Sequence, residues 1–80
     1  MAGGKIVRGC EVLRTGRKMR GFSQSEVAAY YGVCLKTYRR WERGERSVSY
    51  DALNAICGGV FKLELSFIER AIRESFDVAA

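Results

Sequence analysis

Apolar side chains recur along this 80-residue chain at intervals of three and four, the period of an α-helix. In residues 7–20, Val7, Cys10, Leu13 and the aliphatic stem of Arg17 share one helical face, and Gly21 stands just beyond. Gly9 and Gly16 weaken that helix, so its first turn is expected to fray. Residues 24–31 place Val27, Ala28 and Tyr31 on one face. Ser23 precedes them as an N-cap, and Glu26 completes a capping box in which each side chain serves the other residue's backbone N–H. Gly32 supplies the left-handed conformation that a tight turn needs. A third helix is predicted over residues 35–42, stopping at Gly44. Ser49 then caps a fourth, with Asp51 complementing the helix dipole in its first turn. Ala52, Leu53, Ile56 and Cys57 form its buried stripe, and Gly58-Gly59 are expected to close it.

The tail carries two patterns. Residues 61–67 alternate like a half-buried strand, but over a longer window Lys62, Ser66, Glu69, Arg70 and Arg73 gather on one helical stripe. Glu69–Arg73 and Arg70–Glu74 also make i,i+4 pairs, and a helix over residues 62–75 is the preferred reading. Val60, Leu63, Phe67 and Ala71 would cover the fourth helix, leaving Phe61, Leu65, Ile68, Ile72 and Phe76 unclaimed. That second stripe is either a dimer seam or a wider burial within one subunit. The whole predicts one all-α domain across residues 1–80, with a loose tail at 1–6 and a segment at 60–76 available for dimerisation.

Composition sharpens the picture through charge. The net charge of +5 hides an asymmetry: residues 1–46 hold eleven Lys or Arg against four acids, a balance of +7. Residues 47–80 hold three bases against five acids. A basic front half suits a polyanion, although a solvated cationic surface accounts for the same excess. Three cysteines and no histidine leave too few ligands for a zinc site, and the odd count does not suit a secreted disulfide framework. Reduced thiols are expected, and with no signal peptide or membrane-length apolar run the expected location is the cytoplasm of a bacterial or phage-infected cell. No metal, cofactor or catalytic residue is expected, since a nucleophile such as Cys34 lacks a base.

The capped helix, the glycine turn and the cation-rich helix that follows form the pattern of a helix-turn-helix over residues 24–42, which presents its second helix to the DNA major groove. Helical period turns Leu35, Lys36, Arg39 and Arg40 outward and Val33, Tyr38 and Trp41 inward. Lysine and arginine reach guanine O6 and N7, and Leu35 suits a thymine methyl, so these four outward residues are the candidate base contacts. Gln24 lies at the positive end of its helix, and with Thr37, Arg43 and Arg46 it makes the candidate phosphate contacts. A solvated charged face is the competing explanation for the outward residues.

Leu13-Arg14-x-x-Arg17, then Gly21-Phe22-Ser23-Gln24-Ser25-Glu26-Val27-Ala28, Gly32-Val33 and Trp41-Glu42-Arg43-Gly44-Glu45-Arg46 together resemble the XRE-like helix-turn-helix family of phage repressors and Cro proteins, over about residues 8–65. The resemblance implies a five-helix, lambda-repressor-like all-α domain that binds double-stranded operator DNA as a homodimer. Two recognition helices about 34 Å apart would then read a near-palindromic site. It implies that Gln24 contacts phosphate, that Leu35, Lys36 and Arg39 read bases, and that Arg17 and Glu42 form a largely buried ion pair. Loss of one partner of such a pair costs on the order of 3–5 kcal/mol. Leu65, Ile68, Ile72 and Phe76 would form the dimer seam. The implied role is a transcriptional repressor of a phage, plasmid or similar element, with no small-molecule ligand and no membrane partner. The alternatives are an antitoxin and a protein-interaction module that binds a host regulator.

Three positions depart from the family pattern: Cys34 stands where a capping Ser or Thr is usual, Tyr38 where a small aliphatic residue is usual, and Val48 where proline is common. A bulky Tyr38 suggests a shifted recognition helix. An aromatic core cluster is favoured over a Tyr38 hydroxyl that reaches phosphate. For Cys34, a buried small residue is favoured over a redox switch, and Cys10 and Cys57 read as core filler.

Overall fold

The computed structural model describes the backbone of residues 7–79 and the side chains of residues 7–74. The expected loose tail at 1–6 and the side chain of Phe76 lie outside the described residues. Five α-helices follow one another: α1 (Gly9–Arg20), α2 (Gln24–Tyr31), α3 (Leu35–Arg43), α4 (Tyr50–Ala55) and α5 (Leu65–Ala79). A π-helical turn, Ile56–Phe61, continues α4, and there is no strand among the described residues. The all-α, five-helix arrangement is that of a lambda-repressor-like helix-turn-helix fold.

Helix α1 is the hub, packing against α3, α5 and the π-helical turn. It starts two residues later than its apolar pattern suggests, with Arg8 in extended conformation as the N-cap and the Glu11 carboxylate accepting from Arg8 N at 3.0 Å. Gly16 explains itself in the packed state. A Cβ there would stand 2.5 Å from Phe61 Cδ2 and 3.0 Å from Ile68 Cδ1, so the missing side chain lets α1 close onto the core. The core itself gathers Val12 and Leu13 of α1, Val27 and Ala28 of α2, Tyr38 of α3, Leu53 of α4, and Ile56, Cys57 and Phe61 of the π turn. Cys10 and Cys57 are buried as core filler, and burial pushes the Cys57 thiol up to about 11.

Ser49 caps α4 as its sequence predicts, its Oγ accepting from Ala52 N at 3.1 Å. Gly58-Gly59, however, do not close the helix. The chain widens through them and ends only at Lys62, which takes the left-handed conformation at φ 58°. Packing overrides local preference here: the wider turn carries Phe61 into the core beneath Gly16. Arg20 of α1 then donates to Phe61 O at 2.6 Å and Lys62 O at 3.3 Å, which satisfies carbonyls the helix end leaves open.

The tail is a helix, but it starts at Leu65 and its buried stripe is not the expected one. Leu65 is 8% exposed and Ile68 0%, and Ile72 packs partly buried against the same core. Phe67, expected to cover α4, is 52% exposed. Of the two readings of the second stripe, wider burial within one subunit holds for Leu65 and Ile68, and the expectation that these two form a dimer seam is corrected. The cause is phase. Lys62 ends one helix and α5 begins three residues later, so the side chains that meet Phe61 and α1 are Leu65, Ile68 and Ile72, at i, i+3 and i+7.

Candidate nucleic-acid interface

The two helices over residues 24–42 are set by the local chemistry that their sequence predicts. Ser23 Oγ accepts from Glu26 N at 3.0 Å while Ser23 N donates to Glu26 Oε1 at 2.8 Å, so both halves of the capping box are made. Gly32 ends α2 at φ 94°, a region costly for any residue with a Cβ, and its N–H returns to Ala28 O at 2.8 Å. Cys34 N-caps α3 without a side-chain hydrogen bond to the helix. It is exposed, which corrects the expectation that it is buried; its Sγ lies 3.1 Å from Thr37 Oγ1, a contact that lowers the thiol pKa.

The inner face of α3 is aromatic and acidic. Tyr38 is 0% exposed, with the Trp41 ring edge-on at 6.4 Å, and Trp41 meets Tyr31 at 6.1 Å. The core-cluster reading of Tyr38 thus holds, and its hydroxyl is nowhere near a surface where a phosphate could reach it. That hydroxyl faces Arg17 and Glu42, close enough for a polar interaction with both, but it falls outside the geometry of a full hydrogen bond with either. Burial, and secondarily the neighbouring carboxylate, holds the phenol well above its ordinary pKa.

Glu42, only 2% exposed, is the polar hinge of the domain. Arg17 grips it with two bonds, Nε to Oε2 at 2.7 Å and Nη2 to Oε1 at 3.2 Å, so α1 and α3 are joined as the family pattern implies. Arg17 Nη1 also donates to Phe22 O at 3.1 Å, which pins the entry to α2. Burial alone would raise the Glu42 pKa; the polar contacts from Arg17, Tyr38 and Gln24 together outweigh it and hold the carboxyl below its usual range. The Arg17 pKa is raised, chiefly by its hydrogen bond to Glu42. Arg14 donates to the main-chain carbonyl of Glu42, a role the sequence reading missed. The signal was there: Arg14 precedes Arg17 by one helical turn and so shares its face.

The outer face of α3 is cationic and open. Leu35, Lys36, Arg39, Arg40, Arg43 and Glu45 line one shallow concavity of about 370 Å³, which brings all four candidate base contacts together with Arg43. Lys36 and Arg39 are exposed, Arg40 is half-buried, and Leu35 lies partly against the core. Arg43 is paired with Glu45 at 3.2 Å, both side chains solvent-exposed. Arg46 does not join this group. It lines a separate cleft of about 170 Å³ with Arg8, Trp41 and Ser47. Thr37 is half-buried against Cys34, and Gln24 donates its Nε2 to Glu42 Oε1 at 3.0 Å.

Among the described residues no three His, Cys, Asp or Glu side chains gather as a metal site, and no helix is long and apolar enough to cross a membrane. Compared with known families, residues 13–58 match the sequence model described as helix-turn-helix, more than half of the chain. No curated protein and no solved structure matches the chain.

Proposed function

The chain belongs to the helix-turn-helix family of DNA-binding regulators, in the XRE-like form of Cro and phage repressors, and on that premise we propose that it is a dimeric repressor of a near-palindromic operator. Domains of this family bind DNA and catalyse no reaction. The observation that carries the finer reading is the outer face of α3, where Lys36, Arg39 and Arg40 stand in one open concavity with no acidic partner of their own among the described residues. In this reading those three residues and Leu35 meet base edges in the major groove. Gln24, Thr37 and Arg43 hold phosphates beside it, and Arg46 reaches the backbone from its own cleft. Lys36→Ala and Arg39→Ala should each cost about 1–3 kcal/mol on a selected operator and far less on random duplex, measured by gel shift at matched salt. Equal losses on both duplexes would refute base reading. Absence of affinity for any duplex at low salt would favour the protein-interaction alternative.

A nine-residue reading helix contacts few base pairs, so a second copy is needed for an extended site. With Leu65 and Ile68 occupied by the core, the apolar surface offered to that copy by the rear half of the described residues includes Phe67 on α5 and Tyr50 on α4, 52% and 68% exposed. Tyr50 lines an open groove of about 710 Å³ with Leu63, whose rim carries Lys62 beside Glu64 and Glu69, charges of both signs that a two-fold axis can pair. Phe67→Glu should leave the fold intact and give monomers in sedimentation; an unchanged dimer would place the seam elsewhere.

A further inference from the structure

We propose that Glu42 positions Gln24, fixing its side-chain amide with the donor end available to a DNA phosphate; this rests on the DNA-binding reading above. A glutamine amide has two ends of nearly equal shape and opposite chemistry, an oxygen that accepts and an NH2 that donates two hydrogens. Only its partners decide which end faces where. Glu42 offers Gln24 a carboxylate oxygen at 3.0 Å, and an ionised carboxylate only accepts, so Nε2 must be the end that meets it.

A phosphate also only accepts. An amide turned the other way would present its oxygen to two anions at once. Held as it is, Gln24 commits one Nε2 hydrogen to Glu42 and keeps the second. That second donor belongs to the first residue of α2, where the capping box serves Glu26 N and Ser23 O takes Val27 N, leaving the Gln24 and Ser25 N–H groups outside those bonds. One side-chain donor and two main-chain donors thus share the positive end of one helix. Arg17 neutralises Glu42 through two bonds, so the carboxylate can orient the amide without repelling an incoming phosphate. Glu42 is in this sense a positioning residue, acting on DNA through Gln24.

The alternative role for the Gln24–Glu42 bond is purely structural, tying α2 to α3, and the two roles separate by NMR. The full chain, uniformly labelled with nitrogen-15, is titrated with a mixed-sequence duplex at low salt while the two Nε2 protons of Gln24, the one glutamine of the sequence, are followed. In the free protein the two should differ widely in shift. With DNA, the proton not held by Glu42 should move while the held one stays. Joint movement of both would mean that Gln24 leaves Glu42 to reach DNA, and would overturn the proposal. Neither moving while the Lys36 and Arg39 amides shift would also overturn it, yet leave the DNA-binding reading standing. No shift anywhere in the chain would end both. The shape-keeping variant Gln24→Met gives an independent check: affinity for every duplex should fall about three- to tenfold, the loss of one hydrogen bond. Unchanged affinity would contradict the contact.

Discussion

Removing one oxygen atom from the core should make this domain more stable. Tyr38 is fully buried, and its hydroxyl is the buried side-chain polar atom left without a hydrogen-bond partner among the described residues. A buried donor in that state carries an uncompensated desolvation cost of about 1–3 kcal/mol. Tyr38→Phe removes the cost and keeps the ring, including its edge-on contact with Trp41 at 6.4 Å. The small void left behind returns part of the gain, so a net increase of about 1 kcal/mol is expected. In a domain of this size that raises the melting temperature by roughly 4–8 °C, readable by circular dichroism. A fall of the same size would refute the reasoning, because it would show the hydroxyl bonded to Glu42 in solution. The same variant tests the phosphate role weighed for Tyr38 from sequence. With the hydroxyl sealed inside, duplex affinity should not change.

Two further outcomes follow from the packing and the ion pair. Gly16→Ala should destabilise by about 1–2 kcal/mol in urea unfolding, because overpacking against Phe61 and Ile68 outweighs the gain in helix propensity; a stabilised variant would show that α1 can shift freely. The Glu42 carboxyl, lowered in the folded state, contributes stability that is full above the unfolded-chain pKa of about 4.3 and fades as pH falls through its folded value. Acid unfolding should therefore set in below about pH 5, and Glu42→Gln should flatten that dependence while lowering stability at neutral pH.

What the sequence made legible was local. Ser23 with Glu26, Gly32 and Ser49 each act within three or four residues, and each does in the fold what its residue type requires. Arg17 and Glu42 lie 25 positions apart, and no local rule joins them; the family pattern implied the pair that the fold displays. The illegible parts were those decided by tertiary packing. Nothing in Gly58-Gly59 signals that the helix runs on through them, because the cause is Phe61 seating under Gly16 and Arg20 capping Phe61 from another helix. That detour moved the start of α5, and with it the identity of the buried stripe, so Leu65 and Ile68 passed from surface to core. Cys34 came out exposed because the residue before α3 faces solvent, whatever its affinity for a core.

These two kinds of determinant divide along α3 itself. A nine-residue helix is too short to be stable alone in water, and this one adds like charges at i,i+4 in Lys36 with Arg40 and Arg39 with Arg43. Each such pair costs about 0.2–0.5 kcal/mol. The inner face must supply the difference, and it does so with a fully buried Tyr38, the Trp41 ring beneath Tyr31, and Glu42 locked to α1 by Arg17 and Arg14. Stability thus resides on one side of this helix, and the proposed recognition surface lies on the other. A polyanion laid along the outer side would relieve the repulsion between those cations instead of competing with the anchor. Binding should accordingly stiffen α3 without repacking its inner face, so the Trp41 environment should remain constant while the Lys36 and Arg39 amides gain protection from exchange.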